Sequence, residues 1–184
     1  LQEREQRRME LVLGEVDRLD GMLSQTLDYV RPIKLSADPV DISQLLDHVI
    51  KQQEPVMEEK RITMRNKSEQ YCPAITVDKE LIHQVVLNLV KNAVEATPKG
   101  GEIDSCVSFM DKELKVEICN QGDPLSSEII ERAFEPFFTT KSKGTGLGLG
   151  LVKRVVEEHG GTVFLKSDIQ TGICVTVTLP ILQT

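Results

Sequence analysis

Two asparagines four residues apart, Asn88 and Asn92, and a stretch in which Gly144, Gly146, Gly148 and Gly150 alternate with Thr145, Leu147 and Leu149 are the parts of this chain best suited to chemistry. Asn is a mediocre helix former, costing ~0.5 kcal/mol or more relative to Ala, and a merely solvated helix face would favour Glu and Lys. On a helix the pair falls in one stripe with Gln84 and Glu95. Carboxamides so placed can offer an oxygen to Mg²⁺ and an N–H to phosphate. A magnesium ion that keeps several waters and shares the nucleotide's oxygens needs as little as a single protein oxygen. The glycines let backbone approach a ligand with no Cβ in the way. They lead into an apolar-periodic run, Leu147, Leu151, Val152, Val155 and Val156, whose first N–H groups and positive dipole end suit a polyphosphate.

Other glycine-rich loops fit less well. A P-loop ends in Gly-Lys-Ser/Thr, whereas Gly150 is followed by Leu151. A dinucleotide fingerprint should follow a strand early in a βαβ unit, but this loop follows a Phe-rich, Lys-bearing segment late in the chain. A flexible linker would favour Ser over interleaved leucines.

The elements that must position these groups can be read from the pattern. Asp78 caps a helix from about 79 to 96, whose buried side is Ile82, Val85, Val86, Leu89 and Ala93. An earlier helix over 41–59 is capped by Asp41, faces Ile42, Leu45, Leu46 and Val49 inward, and is expected to kink at Pro55. Residues 61–66 and 74–77 read as short strands, 102–109 and 113–119 as a hairpin, and 162–167 and 173–179 as two closing strands. Gly160-Gly161 supplies a C-cap to the helix after the glycine loop. Helices on one face of a mostly antiparallel sheet make an α+β fold, a two-layer α/β sandwich.

Residues 1–30 form one long helix instead. Met9, Val12, Val16, Leu19, Leu23, Thr26 and Val30 recur at spacings of three and four, and Leu13, Met22 and Leu27 widen the stripe to the width a four-helix bundle uses. Such a helix reaches ~45 Å, too long for an ordinary packing helix, and Arg31-Pro32 stops it. The expected domains are therefore 1–32, one helix of a dimeric bundle, and 33–184, a globular domain. The chain begins at Leu1 in mid-helix and reads as a piece of something longer.

Composition narrows the class. The 184 residues carry a net charge of −7, which argues against sequence-independent nucleic-acid binding. Cys72, Cys106, Cys119 and Cys174 include no C-x-x-C pair and read as small buried hydrophobes in a reducing compartment. No apolar run approaches the ~18 residues of a membrane span.

Taken in order, the segments closely resemble the ATP-binding domain of sensor histidine kinases, within the wider family shared by gyrase, Hsp90 and MutL (the Bergerat or GHKL fold). Residues 83–96, HQVVLNLVKNAVEA, look like its N box, and Asn120-Gln121-Gly122-Asp123-Pro124-Leu125 stands where the first glycine box belongs. Residues 134–141, FEPFFTTK, match the F box, and residues 144–150 match the second glycine box. Residues 15–19 and Arg31-Pro32 resemble the second helix of the dimerisation and phosphoacceptor hairpin. The F box and the Asn-x-Gly-x-Pro variant look most like sporulation kinases of spore-forming bacteria.

The resemblance implies ATP and Mg²⁺ as cofactors, with Asn92 holding the metal and Asn88 supporting the phosphate–metal cluster. Lys91, Glu95, Lys141, Gly144, Thr145, Gly146, Gly148 and Leu149 would bind nucleotide. Asn120, Gly122, Leu125 and Leu147 would line the adenine end, with residues 137–146 as a mobile lid. It implies a homodimer through the bundle, a response-regulator receiver domain as partner, and a small protein inhibitor docking on the bundle. It also implies a cytoplasmic kinase portion whose intact protein an upstream region could anchor in the membrane.

Three departures bear on affinity. Asn120 replaces the family's Asp and is neutral, though its amide oxygen can still accept from an adenine amino group. Pro124 replaces a glycine, and at the terminal glycine box Gly172 is followed by Ile173 and Val175 where Thr and Phe are common. All three read as tuning of affinity. The phosphoacceptor should be a bundle-helix His followed by an acid and then Asn or Thr before Pro. His48, His83 and His159 do not fit, so the acceptor is expected upstream. His48 and His83 read as boundary histidines, and His159 as a partner of its helix dipole. Three alternatives stay open: a gyrase-type ATPase, which would carry a Glu where this chain has Asn88; an anti-sigma-type serine kinase; and a nucleotide-insensitive docking module.

Overall fold

The computed structural model describes residues 2–68, 72–110, 112–141 and 144–181. The chain runs α1 (Gln2–Val30), β1 (Ala37–Val40), α2 (Ile42–Lys60), β2 (Thr63–Asn66), β3 (Ile75–Asp78), α3 (Lys79–Ala96), β4 (Glu102–Met110), β5 (Glu113–Asn120), α4 (Ser127–Arg132), α5 (Gly148–Glu158), β6 (Thr162–Asp168) and β7 (Gly172–Pro180). Five strands form one sheet in the order β2-β4-β5-β7-β6, antiparallel except for the parallel β2–β4 pair; β1 and β3 form a separate antiparallel pair. Helices α2, α3 and α5 cover one face, so the fold is the α+β sandwich that the pattern predicts. Short β1 and α4 have weaker signals, a Pro-containing strand and a six-residue helix capped by Ser126.

The core is aliphatic. Ile42, Leu46 and Val49 of α2, Val90 of α3 and Val152, Val155 and Val156 of α5 meet Ile103, Val107 and Leu114 of the sheet at zero exposure. Burying each such side chain is worth about 1.5–3 kcal/mol. Helix α2 begins at Asp41, whose Oδ1 accepts from the Gln44 amide at 3.0 Å, and it runs on through Pro55 to a left-handed Arg61 (φ 55). The Lys60 ammonium then donates to the Val94 and Glu95 carbonyls at 2.6 and 3.2 Å. Because α3 has no basic residue in its last turn, α2 supplies the charge its C-terminus favours.

Asp78 and His159 hold the N-terminus of α3. The Asp78 carboxylate accepts from the amides of Ser36 and Leu81 at 2.8 and 3.1 Å. Burial pushes this carboxyl up, but those amides, that of Glu80 and the nearby His159 outweigh it and hold the group below its ordinary value. The Asp78 N–H donates to His159 Nε2 at 3.0 Å, and His159 Nδ1 lies 2.7 Å from the Val155 carbonyl. His159 thus bridges α5 to the start of α3, which corrects its reading as a partner of the dipole alone. His48 is exposed, and His83 is half-buried 6.4 Å from it, centroid to centroid.

The cysteines need a larger correction. Cys119 and Cys174 form a disulfide with Cα atoms 4.0 Å apart. The two lie 55 residues apart in sequence, but the β5–β7 register sets them directly opposite. Cys72 and Cys106 carry thiols and are half-buried.

Helix α1 is continuous, as its periodicity predicts, and its apolar stripe faces solvent. Met9, Val12, Leu13, Val16, Leu19, Leu23, Leu27 and Val30 are all more than half exposed. The side chains of Asp17 and Arg18, in the expected 15–19 motif, lie outside the described residues, as do Leu1 and residues 182–184 at the domain ends. No described helix is long and apolar enough to cross a membrane.

Candidate functional site

Helix α3 presents its carboxamide stripe to the N-terminus of α5. Asn88 donates from Nδ2 to the Gln84 carbonyl at 2.9 Å, which turns its oxygen away from its own helix. A Cβ on Gly148 would lie 3.0 Å from that Oδ1 and 3.8 Å from Asn92 Nδ2. Glycine is what lets the first turn of α5 approach both amides. The Lys141 ammonium donates to Asn92 Oδ1 at 3.1 Å and pairs with the Glu95 carboxylate.

The F box and the second glycine box are folded onto one another. The Phe137 amide donates to the Gly146 carbonyl at 2.9 Å. Gly146 has φ +70, and a Cβ there would strike the Phe137 carbonyl carbon at 2.4 Å. No L side chain fits that position without moving the backbone. Phe137 itself has φ 66, and the Arg132 guanidinium stands 4.4 Å over the Phe138 ring. Of the expected lid at 137–146, residues 142 and 143 lie outside the described residues.

These elements enclose a cavity of about 620 Å³. Asn88, Lys91, Asn92, Glu95, Asn120, Leu125, Lys141, Gly144, Thr145, Gly146, Gly148 and Leu149 line it. Its polar end holds the amides, Lys91, Lys141 and the glycine backbone. Its other end is apolar, walled by Ile118, Leu165, Ile173 and Val175 of the sheet and by Leu89, Ala93 and Ala96 of α3. Asn120 sits at that end, 5% exposed. Its Nδ2 donates to the Gln121 carbonyl at 2.9 Å, which orients the amide and leaves Oδ1 as the acceptor. The loop after it is tied down where the Leu125 amide donates to Ser167 Oγ at 2.9 Å.

One expected residue stands apart: Leu147, at the N-cap position of α5, is buried at 3% exposure and is not among the lining residues. Gly122 stands against the apolar end, where a Cβ on it would meet Asn120 Nδ2 and Ile173 Cδ1 at 3.4 Å and the Ala96 carbonyl at 3.6 Å, and it also lines a second cavity of about 740 Å³ with Cys119 and Cys174. The residues not anticipated include Ile118, Leu165, Ile129 and Ala133. Strand alternation sets Ile118 on the same face as Asn120 and could have found it. Leu165 becomes a neighbour only through the register of β6 and β7.

The donor set suits a hard cation. Asn88 Oδ1, Asn92 Oδ1 and the Glu95 carboxylate are all oxygens, and the Lys141 ammonium already engages two of these groups. The described residues hold no cluster of His, Cys, Asp and Glu suited to a metal by itself, so a metal here would depend on a ligand's oxygens.

Comparison with known proteins agrees with this geometry. Residues 77–183 match the family described as histidine kinase-, DNA gyrase B- and HSP90-like ATPase. The chain is 32% identical to sensor histidine kinase ZraS of Escherichia coli K12 over 172 residues, covering 94% of this chain and 37% of that protein. It is 40% identical to sporulation kinase D of Bacillus subtilis over 103 residues, 56% of this chain and 20% of that one. The match thus spans from a fifth to less than two fifths of the curated relatives' length. Among solved structures, full-length ShkA in complex with AMPPNP superposes with a TM-score of 0.85 at 28% identity, over 98% of this chain and 40% of that one. Histidine kinase ThkA in complex with the response regulator protein TrrA gives 0.82 at 26% identity, over 95% and 51%.

Proposed function

We infer, from the premise that the chain belongs to the family of histidine kinase-, DNA gyrase B- and HSP90-like ATPases, that it is the ATP-binding part of a dimeric sensor histidine kinase. The observation that carries the reading is the cavity shared by Asn88, Asn92 and the glycine loop, with ShkA's AMPPNP complex as support. The triphosphate lies along the first turn of α5, where Gly144, Gly146 and Gly148 bring backbone N–H groups to it. Lys91 and Lys141 neutralise phosphate charge. Asn92 would hold Mg²⁺ and Asn88 would support the phosphate–metal cluster; when bound, the metal would neutralise phosphate charge. Asn120 Oδ1 accepts from the adenine amino group, and Ile118, Ile173 and Val175 pack on the ring.

The γ-phosphoryl then passes in line to a histidine on another bundle helix, and from there to an aspartate of a receiver domain. Positioning and electrostatics supply most of the rate in such a transfer. The apolar stripe of α1 forms the homodimer, and its outer surface is where a small inhibitor protein would dock. The likeness to sporulation kinase D supports a place in a sporulation phosphorelay, and the FEPFFTTK and Asn-x-Gly-x-Pro features support the B type of such kinases. Kinase portions of this kind work in the cytoplasm, whether or not the intact protein is anchored in the membrane. A neutral Asn88 where a hydrolase needs a carboxylate to activate water favours transfer over ATP hydrolysis. The test is radiolabelled ATP: the chain alone should remain unlabelled and should label a supplied acceptor hairpin. Strong self-labelling, or steady multiple-turnover hydrolysis, would contradict the reading.

A further inference from the structure

Among the described residues, the Arg154 side chain fastens the end of α1 to the nucleotide-binding domain. A helix ends in carbonyls with no partner in the helix, and α1 has no basic residue in its last turn to meet them. Arg154, two turns into α5, donates from Nη1 to the Tyr29 carbonyl and from Nη2 to the Arg31 carbonyl, the latter at 3.0 Å. Its guanidinium also lies 5.6 Å from the centre of the Tyr29 ring. Tyr29 in turn reaches the glycine box, since a Cβ on Gly150 would meet Tyr29 Cε2 at 3.6 Å, next to the Pro136 Cα. Met9, Val12, Leu13, Val16, Leu19, Leu23 and Leu27, on the earlier turns of α1, are each more than half exposed. A guanidinium presents its donors as a rigid planar fork, pre-organised to bond two carbonyls and face a ring together, where an ammonium is a rotatable point charge on a flexible stem.

Arg154 and the glycine loop share one short helix whose Val152, Val155 and Val156 are fully buried. Close-packed elements of this kind pass on displacements and do not absorb them. We propose that Arg154 is a positioning residue that clasps the end of α1 to the glycine-box helix, so that the orientation of α1 and the occupancy of the cavity are thermodynamically linked. The linkage rests on the reading of that cavity as a nucleotide site. It runs both ways: a nucleotide that steadies the glycine box tightens the clasp, and a motion of α1 that opens the clasp weakens the nucleotide by the same factor.

Amide hydrogen exchange across residues 29–33 tests this in the wild-type chain, in Arg154→Ala and in Arg154→Lys, each with and without Mg·AMPPNP, beside calorimetry of the same samples and a melting curve to confirm folding. Without nucleotide, Arg154→Ala should speed exchange at these amides by about tenfold, within the roughly 5- to 150-fold range of ordinary couplings. Arg154→Lys should fall between the two. Mg·AMPPNP should slow this exchange in the wild type, and Arg154→Ala should weaken Mg·AMPPNP by a factor no larger than that slowing. Equal exchange in wild type and Arg154→Ala would overturn the clasp. Nucleotide binding that leaves these amides unchanged would overturn the linkage. A folded wild type that takes up no Mg·AMPPNP would overturn the nucleotide reading and the linkage together, and the nucleotide-free comparison would still decide the clasp.

Discussion

On α5, Val152, Val155 and Val156 are fully buried against α3 and strands β6 and β7, whereas on α1 Val16, Leu19 and Leu23 remain 54–58% exposed. Both helices carry an apolar stripe at helical spacing, so periodicity alone does not separate them. Their length and surroundings do. Helix α5 spans Gly148–Glu158 and is pinned at both ends, by the glycine loop and by His159. Helix α1 runs for 29 residues against the 11 of α5, and the described contacts that hold it to the domain lie at its end, around Tyr29 and Arg31. A stripe that its own domain cannot cover is matched to surfaces of its own kind, which is how bundle helices associate. One helix thus builds the site, and the role proposed for the other is to present it to partners.

The sharpest way to break this comparison is to place a charge on each stripe. Val152→Asp buries an unpaired carboxylate and should cost more than about 4 kcal/mol, read as loss of the folded baseline in urea denaturation. Leu23→Asp on α1 should leave the domain's stability within about 0.5 kcal/mol while converting dimer to monomer by sedimentation. Equal destabilisation by the two would mean that α1 is packed on the domain after all.

Reduction of Cys119–Cys174 comes next. Opening a cross-link of 55 residues should lower stability by up to about 4 kcal/mol on loop-closure grounds. A Cys119→Ser/Cys174→Ser chain should melt at the temperature of the reduced protein, since the same closure is lost.

Asp78 gives a smaller effect with a defined pH signature. Its folded pKa lies below its ordinary value of 3.8, so its contribution is complete above that value and is lost as pH falls through the folded one. Asp78→Asn keeps one accepting oxygen but loses the charge and the second acceptor, and should cost about 0.3–1 kcal/mol near neutrality. It should also flatten acid denaturation below pH 3.8. An unchanged acid limb would remove Asp78 from the account.

The helices and the antiparallel sheet were legible because caps and periods are local: Asp41 and Asp78 each accept from the amide three residues on. The site was legible where it lies on a single element, as with Asn88 and Asn92, or in a glycine run. It was not legible where neighbours are made by register. The disulfide and the His159 bridge to Asp78 join residues 55 and 81 positions apart, and Leu165 reaches the cavity wall only through the pairing of β6 with β7. Leu147 misled because its place in the glycine box hides the direction of its side chain, which packing under α5 decides.

The account depends most on the carboxamides of α3 and the glycine loop jointly holding a magnesium-bound triphosphate. Calorimetry of the folded chain with Mg·AMPPNP tests that directly, with Asn92→Ala as comparison. The wild type should bind and should lose most of its affinity when Mg²⁺ is chelated. Asn92→Ala should bind at least about tenfold more weakly, the equivalent of about 1.4 kcal/mol, at unchanged melting temperature. Equal affinities in the two, or a folded wild type that takes up no nucleotide, would contradict it.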